Sequence, residues 1–226
     1  MFGAGITVDD ITVSRSGNHL VIKINDPDDP AATDQITIEH WDYAHYRIEQ
    51  FQFADGTVLT ADDLTNRSMI GTEGADTITL WSNATFADGG AGDDTIISGV
   101  NNATIHGGEG NDTITVSGNN NTVDGGDGND TITLGNSSNS TVNGGSGNDT
   151  ITFGRSANNT IDGGDGDDLI KVSDNRYSHA SYANTFHGGT GNDRIQSGGS
   201  ADTYLFNRGD ESRPRKFGHG ARAFSI

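Results

Sequence analysis

The chain of 226 residues has no cysteine, only three prolines, and 13 basic residues against 32 acidic ones. The lack of cysteine removes disulfides and thiolate-bound metals as sources of stability. The formal charge of −19 argues against a nucleic-acid binder, because a field of that sign repels phosphate. No apolar run approaches the ~18 residues of a membrane-spanning helix. Large apolar side chains are scarce too. Leu, Ile, Val and Phe make up 44 of the 226 residues, just under the ~20% below which a highly charged chain is normally disordered. An ordinary enzyme with one large core is therefore not expected. Neither His-Glu-x-x-His nor Gly-x-Ser-x-Gly occurs, and no catalytic activity is expected. The first ten residues have no basic n-region and no apolar h-region, so no cleavable secretory signal is read there. An uncleaved C-terminal export signal is compatible with that.

What the chain has in excess is glycine, 33 residues, about twice the usual ~7%, and it is periodic. A nine-residue unit reads GTEGADTIT from Gly71, GGAGDDTII from Gly89, GGEGNDTIT from Gly107 and GGDGNDTIT from Gly125. It continues as GGSGNDTIT from Gly144, GGDGDDLIK from Gly163 and GGTGNDRIQ from Gly188, with a damaged copy, SGGSADTYL, from Ser197. The starts are 18, 18, 18, 19, 19 and 25 residues apart, so one period is about two nonapeptides. Its other half is Asn- and Ser-rich, as in Asn101-Asn102, Asn119-Asn120 and Ser138-Asn139.

Each period thus holds two short strands and two turns. Alternation along a strand points Ile78/Leu80, Ile114/Val116, Ile132/Leu134, Ile151/Phe153 and Ile170/Val172 inward from one strand. The other contributes Phe86, Ile105, Val123, Val142, Ile161 and Phe186. No single period can bury this face, so the fold class expected is all-β: stacked coils of about 18 residues with a thin core between two parallel sheets.

The recurring loop has Gly at positions 1, 2 and 4 and Asp at position 6. Glycine allows positive φ and close packing of carbonyls, and aspartate adds a hard anionic oxygen. Oxygen donors without His or Cys select a hard cation such as Ca²⁺. A phosphate cradle is excluded, because the aspartate repels the anion and no Gly-Lys-Ser/Thr follows. One loop offers one firmly placed carboxylate. An ion seated between loops stacked about 4.8 Å apart draws oxygens from both and relieves the repulsion of a close column of aspartates.

At these residues the sequence resembles the repeats-in-toxin (RTX), or haemolysin-type calcium-binding, family, whose motif is GGxGxDxUx. The loop positions match fully in the copies at Gly89, Gly107, Gly125, Gly144, Gly163 and Gly188; Thr72 replaces a glycine in the first copy. The resemblance covers roughly 71–206. It implies a right-handed parallel β-roll with Ca²⁺ between successive loops, held by loop carbonyls and the last aspartate. The implied carboxylates are Asp76, Asp94, Asp112, Asp130, Asp149, Asp168 and Asp193. The implied glycines are Gly89, Gly90, Gly92, Gly107, Gly108, Gly110, Gly125, Gly126, Gly128, Gly144, Gly145, Gly147, Gly163, Gly164, Gly166, Gly188, Gly189 and Gly191. The family pattern carries GGxGxD on both turns of a coil. Here the alternate turn is Asn/Ser-rich, so about five or six ions are expected on one edge and an Asn ladder on the other. The implied role is a calcium-dependent folding module of a secreted RTX-type exoprotein, toxin or adhesin, with neighbouring RTX modules of a parent protein as partners.

Residues 1–66 lie outside the repeat and read as a small β domain resembling the one that accompanies RTX arrays. Its expected strands are Ile11–Arg15, Leu20–Ile24, Gln35–Trp41, Tyr46–Phe53 and Thr57–Thr60, with turns at Ser16–Asn18 and Ala54–Gly56 and core candidates Trp41 and Phe53. The β-roll is assigned to 67–206. Residues 207–226 hold Arg208, Arg213, Arg215, Lys216 and Arg222, whereas 71–154 contain no Lys or Arg; they read as a basic, disordered tail.

Three further patterns have ordinary explanations. Thr77/Thr79, Thr113/Thr115, Thr131/Thr133 and Thr150/Thr152 form a flat Thr-x-Thr face, resembling the ice-binding surface of some β-solenoids. Thr is also a good exposed strand residue. A surface-binding module, for ice or for a polysaccharide through calcium bridging, is the alternative function. Asn-x-Thr at Asn83, Asn102, Asn120, Asn139 and Asn158 is read as a by-product of the repeat rather than a glycosylation series. His40 and His45 flank Tyr43; two histidines without a third ligand read as surface residues.

Overall fold

The computed structural model describes residues 2–3, 5–25, 34–154, 156–173, 183–196 and 202–205. The predicted tail at 207–226, the segment 26–33 with Pro27 and Pro30, and the start of the damaged repeat at Ser197 lie outside them. The chain divides into two compact units, Met1–Ile70 with Trp81–Ala84, and Gly71–Leu80 with Thr85–Ile226.

In the first unit, β1 (Ile11–Ser16), β2 (His19–Ile24) and β3 (Gln35–Ile38) form an antiparallel sheet, and β4 (Gln50–Gln52) pairs with β5 (Val58–Thr60). The turns fall at Gly17 and Gly56, both at positive φ. β3 is shorter than its sequence pattern because His40 takes φ 56°. β4 starts late because Ala44–Tyr46 form a 3-10 turn. A short helix, α1 (Ala61–Arg67), is an element the alternation pattern does not reveal. Its signature is Thr60-x-x-Asp63, a capping box in which the Thr60 hydroxyl accepts from Asp63 N–H and the Asp63 carboxylate accepts from Thr60 N–H. Trp41, Phe53, Leu20, Ile22 and Leu64 are fully buried as the core of this unit. Phe2 stacks on Phe53 with centroids 4.7 Å apart.

The second unit is a parallel β-solenoid of about six turns. One sheet stacks β6 (Thr77–Thr79), β8 (Thr95–Ser98), β10 (Thr113–Val116), β12 (Thr131–Leu134), β14 (Thr150–Phe153), β16 (Leu169–Val172) and β18 (Arg194–Gln196) in chain order. The other stacks β7 (Phe86–Ala91), β9 (Thr104–Glu109), β11 (Thr122–Asp127), β13 (Thr141–Ser146), β15 (Thr160–Asp165), β17 (Thr185–Thr190) and β19 (Thr203–Leu205). Register is strict: Ile96, Ile114, Ile132, Ile151, Ile170 and Ile195 form one inward column, all buried. Ile105, Val123, Val142, Ile161 and Phe186 form the facing one.

Two details differ from the alternation pattern. Phe86 pairs with Thr104, so the residue entering the core beside Ile105 is Ala87, fully buried, and the Phe86 ring lies outside against His106 with centroids 5.9 Å apart. The coil at β8 also belongs to the core, with Ser98 in the place of the second large side chain and Ile97 exposed. Most coils bury only one or two large side chains per sheet, so the energy of apolar burial per coil is small.

Candidate metal centre

The Gly-rich loop is tighter than its six-residue motif suggests. In the coil at Gly107, β9 runs through Gly107 and Gly108 to Glu109, and only Gly110, Asn111 and Asp112 turn the chain into β10. Gly108 and Gly110 have φ of +118° and +122°, and a Cβ on either would overlap a carbonyl of the preceding coil, that of Gly90 or Gly92. Gly107 has no positive φ. Its lack of a side chain matters because a Cβ there would overlap both the Gly125 carbonyl oxygen of the next coil and its own loop's Asp112 Oδ2. The same double overlap recurs at Gly89, Gly125, Gly144 and Gly163. Beside each first glycine, therefore, a carboxylate oxygen and the next coil's carbonyl oxygen converge on one point.

The aspartates form one continuous column. Asp76 N–H donates to Asp94 Oδ1 (2.7 Å), Asp94 to Asp112 (2.8 Å), Asp112 to Asp130 (2.7 Å), Asp130 to Asp149 (2.7 Å), Asp149 to Asp168 (2.8 Å) and Asp168 to Asp193 (3.0 Å). One oxygen of each carboxylate is used in this way. The other, Oδ2 of Asp94, Asp112, Asp130, Asp149 and Asp168, is buried and has no hydrogen-bond partner. Five charged oxygens in a row thus face carbonyl oxygens, acceptor against acceptor. Burial pushes all five carboxyls above the usual carboxylate range, against the lowering effect of the N–H bonds, and Asp130 and Asp168 reach about 7.

The opposite edge has the same architecture with amides. Asn121 Oδ1 accepts from Ala103 N–H (2.8 Å), Asn159 Oδ1 from Ser140 N–H (2.8 Å) and Asn184 Oδ1 from Asn159 N–H (3.0 Å). Here the second terminal atom has a partner. Nδ2 of Asn121, Asn159 and Asn184 donates to the carbonyls of Val100 (3.0 Å), Ser137 (2.9 Å) and Ser156 (3.1 Å). Asn102, Asn120, Asn139 and Asn158 turn the chain at φ 56–60°, a region Asn tolerates. The Asn ladder expected on this edge is interrupted by Ser140, whose Oγ accepts from Asn121 N–H (3.1 Å). This edge also absorbs the length changes: the extra residue in the coils after β12 and β14 falls in this turn, and the Gly edge keeps its length.

An amide closes its own hydrogen bonds between coils; a carboxylate in the same position leaves an oxygen that only a cation or a proton satisfies. The residues of the Gly edge therefore fit a hard cation. Among the described residues no three His, Cys, Asp or Glu side chains converge, so an ion here would take most of its oxygens from the backbone, as Ca²⁺ does readily. When bound, the ion supplies positive charge to a column that has no Lys or Arg from 71 to 154.

The first loop differs from the middle ones: Thr72 donates through both N–H (2.6 Å) and hydroxyl (2.8 Å) to Asp76 Oδ2. Asp76 is thereby satisfied by the side chain that breaks the motif. At the last loop a Cβ on Gly188 would overlap its own Asp193, as at the first glycines of the middle loops. A second ladder, at loop position 5, runs outside the aspartates. Asn111, Asn129, Asn148, Asp167 and Asn192 each donate N–H to the side-chain oxygen of the residue at position 5 in the preceding coil, at 2.7–2.9 Å. The motif leaves position 5 free, yet only Asn or Asp stands there in the six copies from Gly89 to Gly188. The glycines at positions 2 and 4 of the other loops, Gly90, Gly92, Gly126, Gly128, Gly145, Gly147, Gly164, Gly166, Gly189 and Gly191, likewise lie at positive φ against the preceding coil.

Comparison with known proteins agrees with this geometry. Residues 98–132, 134–156, 153–172 and 180–210 match the RTX calcium-binding nonapeptide repeat, and residues 19–63 match the haemolysin-type calcium binding protein related domain. The chain is 34% identical over 89 residues to the iron-regulated protein FrpA of Neisseria meningitidis serogroup C, a stretch that is 39% of this chain and 8% of that protein. No solved structure matches. The chain belongs to the haemolysin-type calcium-binding, or RTX, repeat proteins: its repeats bind calcium, and its role is structural.

Proposed function

We propose that this chain is a calcium-dependent folding module of a secreted RTX-type exoprotein. The observation that carries the reading is the column of five buried carboxylate oxygens without partners, set against an amide edge that satisfies itself. In this reading the Oδ2 atoms of Asp94, Asp112, Asp130, Asp149 and Asp168, with carbonyl oxygens of the loops that face them, hold about five ions on one edge. Asp76 and Asp193 bound the column. Without calcium the carboxylates oppose stacking, and the thin core is too small to overcome them. With calcium, the energy of binding becomes energy of folding.

Such a module stays extended at the low calcium of a cytosol, in a form suited to export, and folds on reaching millimolar extracellular calcium. RTX repeat proteins are typically exported by type I secretion, which agrees with that sequence of events. Adjoining modules of a longer parent protein are the partners that suit a repeat whose matched relative is far longer, and no enzymatic activity is assigned to this chain. The test is a calcium titration followed by far-UV circular dichroism and light scattering. Calcium-induced β signal with a compact radius is expected; a β signal and melting temperature unchanged by EGTA overturn the proposal.

A further inference from the structure

A ring cluster in the first unit has no role in its core. The turn between β3 and β4 carries His40, Tyr43, His45 and Tyr46, and β2 contributes His19. The rings are connected: His19 to His40 at 5.6 Å, His40 to Tyr46 at 5.6 Å, Tyr43 to Tyr46 at 6.3 Å and His45 to Tyr46 at 4.4 Å between centroids. Tyr43 and Tyr46 are nevertheless 51% and 55% exposed, so their contact with one another does not remove them from water.

The turn is held from behind. Arg47 Nε donates to the Trp41 carbonyl (2.8 Å) and its terminal nitrogen to Asn83 Oδ1 (2.9 Å). The fully buried Trp41 donates from Nε1 to Thr65 Oγ1 (3.0 Å) and from its backbone N–H to the Asn18 carbonyl (2.8 Å). His40 sits at φ 56°, a conformation uncommon for a residue other than glycine, and one that persists where surrounding structure enforces it. Rings presented on a held turn lose little freedom when they take a ligand.

Their electrostatics select the ligand. Tyrosine faces are electronegative and attract cations. The Tyr43 and Tyr46 rings stand at 82° to each other, and a cation seated beside the pair lies within about 6 Å of both centroids. Glu39, Asp42 and Glu49 are on the same turn against one cation, Arg47, so the local charge is negative. That field repels an anion and adds nothing for a neutral sugar, whereas it favours a cation. A bulky, weakly hydrated ammonium gains most from aromatic faces. We propose that the Tyr43–Tyr46 face, with His40 beside it, binds a quaternary ammonium group, either of a free solute or of a choline lipid head group. This does not depend on the calcium reading of the repeats.

The test uses the full chain in excess calcium, titrated with choline while the ring protons of Tyr and His are followed by NMR. In parallel, co-sedimentation is measured with vesicles of phosphatidylcholine and of phosphatidylglycerol. Saturable shifts on the turn are expected. Tyr43→Ala with Tyr46→Ala should weaken binding roughly 5- to 30-fold, and Tyr43→Phe with Tyr46→Phe should change it less than about threefold, since the ring face is kept. Circular dichroism of both variants reports whether they fold. Binding of soluble choline assigns a free solute, and retention only on phosphatidylcholine vesicles assigns the lipid. Absence of both, an alanine variant that folds and binds unchanged, or equal binding of choline's uncharged carbon isostere each overturns the proposal.

Discussion

Replacing Asp130 by Asn separates the two roles of the column. The substitution keeps an oxygen to accept from Asp112 N–H and turns the partnerless Oδ2 into an N–H donor facing the Gly144 carbonyl of the next coil, as Asn159 Nδ2 donates to the Ser137 carbonyl of the coil before it. In calcium-free buffer the wild-type carboxyl is raised to about 7 by burial and by its neighbours Asp149 and Asp112. Keeping such a group ionised at about pH 8 costs on the order of 4 kcal/mol, and the new hydrogen bond adds about 1 kcal/mol. Asp130→Asn is therefore expected to stabilise the calcium-free roll by about 3–5 kcal/mol and, with Asp130 a ligand as proposed, to raise the calcium concentration needed for folding. Substituting Asp94, Asp112, Asp130, Asp149 and Asp168 together should give a roll that folds in EGTA. Asn159→Asp is the reciprocal change: it sets a carboxylate oxygen against the Ser137 carbonyl and should destabilise the calcium-free state by about 1–3 kcal/mol. Denaturation followed by far-UV circular dichroism, with calcium and with EGTA, gives each value. If Asp130→Asn destabilises equally in both buffers, or the five-fold variant stays unfolded in EGTA, acceptor facing acceptor is not what keeps the calcium-free chain from stacking.

Other outcomes follow from single residues. Thr72→Val removes the exposed hydroxyl that satisfies Asp76 Oδ2 and should cost about 1 kcal/mol in the first coil, read as faster hydrogen exchange at 71–79 with calcium present. Gly144→Ala introduces a Cβ that overlaps the Gly163 carbonyl and Asp149 Oδ2, and should abolish the calcium-induced β signal. Gly99→Ala, where the nearest atom is Ser117 Oγ at 3.7 Å, should leave that signal intact. On pH, Asp130 and Asp168 have folded-state values of about 7, above the ~3.9 of an unfolded carboxyl. Protonation therefore favours the calcium-free fold: its stability is fully present below about pH 4 and is lost as pH rises through about 7. With calcium the sign reverses, since protons compete for the same oxygens and the calcium midpoint rises on acidification. A calcium-free β signal that grows with rising pH contradicts this.

Much of the repeat was legible in the sequence because its information is one-dimensional. A strict period, an alternating Thr-Ile-Thr strand and glycines at fixed places set the coil length, the two parallel sheets and one inward column. The Asn/Ser half of each period already implied a neutral edge. Local alternation failed where the register of a neighbour decides. Phe86 has the right hydrophobicity to face inward, but pairing with Thr104 puts Ala87 in the core instead. In the first unit, the alternation near Trp41 gave no sign that His40 would break β3 or that Ala44–Tyr46 would form a turn.

By itself the sequence determined the fold class, the family and which residue types line each edge, since these follow from composition and spacing repeated in every coil. Only the tertiary structure decided which atoms are satisfied. Whether Asp112 has one oxygen or two in use depends on where the amide of Asp94 and the carbonyl of Gly125 fall, and both are brought there by the stacking of neighbouring coils. The same holds for Thr72, a flaw in the motif as a sequence, which in space supplies two donors to Asp76 Oδ2.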